Sequence, residues 1–289
     1  MDLIDDARHR LQRVWGHDVA VSAVRVRLRD RAVFDTVSPD GCPVVVKVDT
    51  TPRRLDKELL MLRTARDGGI PVPAVLIADD GSPGFLVLAR AEGSSLSATS
   101  TWAAWAAAGR YLRRLHGLPP PPGIPQFNDA SGDWRDFMLG WADKAASEIT
   151  RPGMLSPAEA GRLRSQLSAA LIEMNGPPYR LLHGDCQPDH FLIEPGGRAV
   201  MALIDFGDSS IGDPAWDFAV LTLHHARRLD SVLRGYRPGR QLLGHITRWV
   251  PAYRALRCAG VVRWLADNGL DHRADLEFLQ REHLRANPR

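Results

Sequence analysis

Two aspartates twenty positions apart constrain this chain more than any other feature. Asp185 stands in His183-Gly184-Asp185-Cys186-Gln187-Pro188-Asp189-His190, and Asp205 in Leu203-Ile204-Asp205-Phe206-Gly207. Short apolar runs border them, Arg180–Leu182, His190–Ile193 and Val200–Ile204, which read as a small β-rich island. A hairpin-like return within that island brings both carboxylates to one end. Alone, each aspartate would read as a turn or cap residue. Together they suit phosphoryl transfer, where one carboxylate orients a hydroxyl and accepts its proton while the other holds Mg²⁺ against the phosphates. Magnesium favours oxygen ligands and keeps several waters, so one or two protein oxygens suffice.

The island lies inside a chain whose patterning changes once. Residues 2–16 carry a helical apolar period. Val24, Val26 and Leu28 then alternate with Arg25, Arg27 and Arg29, a strand with one wet face. Ala32–Val37 and Pro43–Val48 follow as strands about the turn Ser38-Pro39-Asp40-Gly41. A helix over 54–66 ends at Gly68-Gly69, and Val72–Ile77 and Phe85–Leu88 read as strands split by a turn at 80–83. Beyond the small polar connector at 89–95 the pattern is mainly helical, over 99–117, 133–150, 156–174, 214–228, 240–268 (broken at Pro251) and 273–286. This predicts an α+β, bilobal chain: residues 1–90 as a β-rich lobe with one inserted helix, and 91–289 as a larger helical lobe. The chemistry belongs in the cleft between them.

Bulk composition excludes more than it identifies. The net charge of +3 is small for 289 residues, and no run of five or six basic residues marks a nucleic-acid face. Cys42, Cys186 and Cys258 are scattered, which argues against disulfides or zinc and for a reducing, cytoplasmic setting. No stretch has the length and apolarity of a membrane span.

A His-x-Asp loop, a hairpin and then Asp-Phe-Gly is the order of the protein-kinase signature. With glycine at the middle position, the chain resembles the aminoglycoside phosphotransferase family, kinase relatives that include choline-kinase-like enzymes. The resemblance extends over Val44-Val45-Val46-Lys47, the helix carrying Glu58, Gly-Ile-Pro-Val-Pro-Ala-Val-Leu at 69–76, Leu-Arg-Arg-Leu-His-Gly-Leu-Pro at 112–119, and Ile-Gly-Asp-Pro-Ala-Trp-Asp at 211–217. It implies a kinase-like fold and transfer of the γ-phosphoryl of ATP or GTP to a hydroxyl of an antibiotic or related metabolite. Asp185 would be the catalytic carboxylate, and Asp205 the ligand of Mg²⁺, or of Mn²⁺. Lys47 would contact the phosphates and pair with Glu58. His183 would brace the loop and Asp217 would tie its backbone. Asp213, just before Pro214, reads as a helix N-cap. Trp134, Trp141, Asp129, Asp133 and Asp136 cluster where an acceptor pocket would lie, although a wet helix start explains the acids as well.

Two departures stand out. The family's second metal ligand, an asparagine, is His190 here, and imidazole is a poor magnesium ligand. That histidine could hydrogen-bond a carboxylate or phosphate, coordinate weakly, or accompany loss of activity; Gln187 or Asp189 could supply a replacement oxygen. The first hairpin also lacks glycine between Val19 and Gly41, so Arg29 and Arg31 stand where a glycine-rich phosphate loop is expected. These leave a second reading open, a catalytically weak or inactive nucleotide-binding protein. Protein-kinase activity fits poorly: only six residues separate Gly207 from Pro214, and no Ala-Pro-Glu follows.

Overall fold

Alternation of side chains along valine-rich strands builds the N-terminal part. The computed structural model describes residues 2–284 apart from 52, 80, 82, 99, 100, 127–132, 152 and 175–178. Strands β1 (Ala23–Arg27), β2 (Arg31–Val37), β3 (Pro43–Asp49), β4 (Val75–Asp79) and β5 (Gly84–Ala89) form an antiparallel sheet in the order β1-β2-β3-β5-β4. Val44, Val46 and Val48 turn one way and pack with Phe85 and Val87 against Ile4, Ala7 and Leu11 of helix α1 (Leu3–Trp15). Residues of the opposite parity, Leu86 and Leu88, join Leu55, Met61 and Leu62 of helix α2 (Arg54–Asp67) in the larger core. Lys47 is paired in register with Leu86 and therefore shares the α2 face.

Two strand expectations need correction. β1 has no buried face: Val24 is exposed, because β1 is the sheet edge and its register shifts between Val24 and Val26. β4 begins at Val75 rather than Val72. Pro71 and Pro73 flank Val72 and offer no N–H to a ladder, so pairing starts only beyond them.

The remainder is mainly helical: α3 (Trp102–His116), α4 (Trp134–Glu148), α5 (Pro157–Leu171), α6 (Ala215–Leu221), α7 (Leu229–Tyr236), α8 (Arg240–Asp267) and α9 (Arg273–Leu279), which runs into a π-helical turn at Gln280–Leu284. The β-rich island is divided between two small sheets. Strand β7 (Arg180–Leu182) pairs with β10 (Ser210–Gly212), while β8 (Phe191–Ile193) lies between β6 (Ser94–Ser95) and β9 (Val200–Leu203). Among the described residues no helix is long and apolar enough to cross a membrane.

Two helix expectations also change. Pro251 does not break α8, which is helical from Arg240 to Asp267. Pro251 sits on the exposed side, while Ile246, Trp249, Val250, Tyr253 and Leu256 are buried along the other, so packing offsets the lost hydrogen bond. The span 214–228 is not one helix. It ends at Leu221, where the Thr222 hydroxyl bonds back to the Phe218 carbonyl at 2.5 Å, and a 3-10 turn at Ala226–Arg228 leads into α7.

α3 and α7 cross at glycines. A Cβ on Gly235 would lie 1.8 Å from the Ala106 carbonyl oxygen, a clash with backbone that no rotamer change relieves. Gly235→Ala is expected to cost about 3 kcal/mol and to lower the melting temperature by roughly 5–10 °C. Differential scanning calorimetry of the two proteins measures it; equal melting temperatures would show that the crossing can open.

Candidate active site

The loop carrying Asp185 is held from below by a buried carboxylate. Asp217, on the first turn of α6, is fully buried. Its Oδ2 accepts the His183 backbone N–H at 2.8 Å and its Oδ1 accepts that of Gly184 at 3.0 Å. His116, at the end of α3, lies 3.1 Å from the same Oδ2 through Nε2. A carboxylate only accepts, so His116 donates from Nε2, and the Tyr236 hydroxyl donates to its Nδ1 at 3.1 Å. The Trp216 indole N–H holds the Gly184 carbonyl at 2.8 Å. Gly184 has φ +84°, and a Cβ there would meet the Asp208 carbonyl oxygen at 1.9 Å. Glycine in the middle of His-Gly-Asp is thus required by the packing of this loop against the 208–209 backbone.

His183 is buried inside this frame and donates from Nε2 to the Ile204 carbonyl at 2.9 Å, linking the two aspartate segments. Burial, reinforced by His190, lowers its pKa, so it stands neutral. Asp213 caps α6 by accepting the Ala215 N–H at 2.9 Å, and its other oxygen accepts from Tyr253 and His245, each at 2.8 Å.

Above the loop, Lys47 bridges the sheet and the Asp-Phe-Gly segment. Its Nζ donates to Glu58 Oε1 at 2.6 Å and to Asp205 Oδ1 at 3.0 Å. Burial pulls the ammonium pKa down, but Asp205 and Glu58 outweigh it and the net is upward, so Lys47 stays charged. Burial likewise works against the Asp205 carboxylate, and Lys47 followed by His190 overturn it, holding Asp205 far below the usual carboxylate range. Asp205 has φ +65°, a left-handed conformation that aspartate tolerates better than most residues.

His190 gives Nδ1–H to the Asp185 backbone carbonyl at 2.7 Å, which turns Nε2 toward Asp205 Oδ2 at 3.6 Å. With the ring neutral, Nε2 and the carboxylate oxygen would both be free to accept a cation held by the two side chains. The donor set therefore fits a divalent ion that accepts one nitrogen and one oxygen, Mn²⁺ more readily than Mg²⁺. Among the described residues no cluster of three or more His, Cys, Asp or Glu side chains is arranged for a metal, so these two would be the protein's share.

Asp185 is itself occupied by two side chains, one of them given no part in the sequence reading. The Gln187 amide donates to both carboxylate oxygens at 3.0 Å, and Arg257, from α8, donates to Oδ1. Burial would raise the Asp185 pKa, but Arg257, then His190 and Gln187, hold it below the usual range. Arg257 lies 72 residues downstream among several arginines of one helix, and nothing local distinguishes it. Gln187 supplies an N–H to Asp185 instead of an oxygen to a metal, and Asp189 bonds the hydroxyls of Ser95 and Ser97.

Asp185, Asp205, His190 and Arg257 line one cavity of about 620 Å³, which extends to Arg31 and Arg54 on one side and to Trp141 and Trp264 on the other. A smaller cavity of about 70 Å³ adjoins it at Asp205, between Lys47, Glu58 and Val26 of β1. Arg31 lines both, whereas Arg29 is exposed. Trp134 lines a further cavity of about 170 Å³ that shares Trp141 and Arg257 with the large one. Asp133 and Asp136 line none of the three: Asp133 caps α4, and Asp136 is exposed beside Arg135. Asp129 lies outside the described residues.

The sequence matches the profile of the phosphotransferase enzyme family (APH) over residues 21–259. No curated protein matches the chain in sequence. Solved structures share its fold. A thermostable mutant of aminoglycoside phosphotransferase APH(4)-Ia in its apo form superposes with a TM-score of 0.74 at 17% identity, covering 95% of this chain and 96% of that one. The GDP and kanamycin complex of APH(2")-IIia gives 0.71 at 17% identity, over 95% and 97%. A choline/ethanolamine kinase family protein from Mesorhizobium loti gives 0.67 at 21% identity, over 99% and 96%.

Proposed function

This chain belongs to the phosphotransferase enzyme family and has its kinase-like fold, and we propose that it transfers the γ-phosphoryl group of ATP or GTP to a hydroxyl of a small molecule. The observation that carries this reading is the meeting of three charged groups at one place: Asp185 and Asp205 on one cavity wall, and Lys47 bonded to Asp205.

In this reaction a bond forms between the acceptor oxygen and the γ-phosphorus, and the bond from that phosphorus to the bridging oxygen of the nucleoside diphosphate breaks. Asp185 orients the acceptor hydroxyl through Oδ2, the oxygen that Arg257 leaves open, and receives its proton. Arg257 and Gln187 keep the carboxylate in one orientation and ionised. Lys47 turns its charge from Asp205 to the phosphate oxygens, while Glu58 retains its hold on the ammonium. Asp205 and His190 would hold a divalent cation, which supplies charge neutralisation on the phosphates. Asp217 and the backbone of His183 and Gly184 keep the loop from drifting under that load. The boundary near residue 90 between a nucleotide-binding lobe and an acceptor-binding lobe is part of the same proposal.

The test is nucleotide-dependent gain of one phosphate by mass across a panel of hydroxylated metabolites, with Mg²⁺ and with Mn²⁺. Esters are expected, with faster turnover in Mn²⁺. Nucleotide binding with no ester and no hydrolysis in either metal would favour the inactive, nucleotide-binding reading that His190 suggests. His190→Asn, which replaces the imidazole by an oxygen ligand, is expected to raise the Mg²⁺ rate relative to Mn²⁺ by about tenfold. An unchanged metal ratio would remove His190 from the metal site.

A further inference from the structure

The acids of the large cavity are already partnered. Asp185 is bonded by Arg257 and Gln187, Asp205 by Lys47, and Asp208 by Arg54 at 3.3 Å. Asp189 holds the hydroxyls of Ser95 and Ser97. Asp275 lies 3.3 Å from His224 Nε2. Outside the cavity, Glu148 receives Arg263 at 2.8 Å, so that wall is not acidic either.

The rest of the lining joins apolar side chains and arginines to a few neutral polar groups, Ser97 and Gln187 among them. α8 presents Arg257, Val261 and Trp264 at helical spacing, facing the Leu223-His224-His225 break after α6. Trp141 closes the end, with its ring 4.8 Å from that of Trp216. Arg257 also lines the neighbouring cavity of about 170 Å³, whose one acid is Asp208. The guanidinium nearest the reacting hydroxyl is thus fixed to the very carboxylate that a positively charged acceptor would seek.

We infer that the acceptor is uncharged beside its phosphorylated hydroxyl and lays an apolar face on Trp141, Val261 and Trp264, with Arg257 excluding cations. This rests on the phosphotransferase reading and narrows it to a substrate class. An ammonium entering next to Asp185 would meet Arg257 in a half-buried site, where like charges repel strongly, and among the described lining carboxylates only Asp189, held by two serine hydroxyls, lacks a basic partner. An uncharged hydroxyl needs only Asp185 Oδ2, and an apolar face gains from leaving water. Discrimination of this kind comes from an unfavourable term against the wrong ligand as much as from contact with the right one.

The test uses two alcohols of one shape: choline, and its uncharged analogue in which carbon replaces the quaternary nitrogen. Each is supplied at high concentration with nucleotide and Mn²⁺; phosphate ester is quantified by mass, and nucleotide hydrolysis is followed in parallel. The wild type is expected to prefer the uncharged alcohol by about tenfold or more in kcat/KM. Arg257→Gln is expected to bring the ratio near parity, and Arg257→Lys, which keeps the charge, to retain most of the preference. Choline used as well as its analogue overturns the inference, as does a preference that survives undiminished in Arg257→Gln. Ester from neither alcohol while hydrolysis persists also counts against it and leaves the phosphotransferase reading standing. Absence of hydrolysis and of nucleotide binding would sink that reading instead.

Discussion

Replacing Asp185 by Ala is expected to slow phosphoryl transfer by a factor on the order of a thousand while nucleotide affinity changes little. The carboxylate does not line the smaller cavity between Lys47, Glu58 and Asp205, so the loss is expected on the chemical step. Alanine also strips Arg257 and Gln187 of their shared partner and leaves a half-buried guanidinium facing the cavity. Asp185→Asn separates the two effects, since the amide oxygen still accepts from Arg257 but takes up a proton far less readily. Single-turnover transfer and calorimetric nucleotide binding, measured on wild type and both variants, test the assignment. Turnover that survives in both variants would remove Asp185 from the reaction and with it the proposed mechanism.

The second large effect falls on stability. Asp217→Ala leaves the N–H groups of His183 and Gly184 and the His116 ring without their acceptor, in a site closed to water. Removing one member of a buried charged network costs about 3–5 kcal/mol, which corresponds to a fall in melting temperature of roughly 10 °C. Activity should fall as well, because the loop loses both backbone anchors just before Asp185 and keeps only the Trp216 bond to Gly184, the His190 and Gln187 bonds to the Asp185 carbonyl, and the packing of Gly184. Asp217→Asn keeps one acceptor oxygen and should lie between the two. Calorimetry distinguishes this residue from a catalytic one: Asp185→Asn is expected to melt near the wild-type temperature, and Asp217→Ala well below it. A melting temperature unchanged in Asp217→Ala would mean that the loop has other supports of equal strength.

Much of the site was legible from the chain because its chemistry is local. Residues 183–190 and 203–207 each form one short loop, and the position of Asp185, Asp205 and His190 within them needs only the hairpin between. Lys47 was legible for a related reason: on a strand of alternating parity, a cation between valines must face either water or a buried carboxylate. Asp217 is anticipated through the resemblance of Ile-Gly-Asp-Pro-Ala-Trp-Asp at 211–217 to the family's motif rather than from spacing alone. The strand and helix errors share a cause. Residue type alone places Val24 and Val72 in ordinary strands and a break at Pro251, whereas edge position, neighbouring prolines and the packing of the opposite helix face decide their conformation.

The order of motifs determined by itself that the chain folds as a β-rich part followed by a helical part, with paired carboxylates where they meet. Regular periodicity and short loops encode such features within a few residues. Only the tertiary structure decided what surrounds those carboxylates. Arg257 comes to Asp185 across 72 residues, and His116 comes to Asp217 across 101. Contacts of that range depend on how helices cross, at Gly109 and Gly235 for α3 and α7 and along α8 for Arg257. The charge and shape of the cavity wall are set there, because Coulomb attraction and close packing act on distance in space and take no account of distance along the chain.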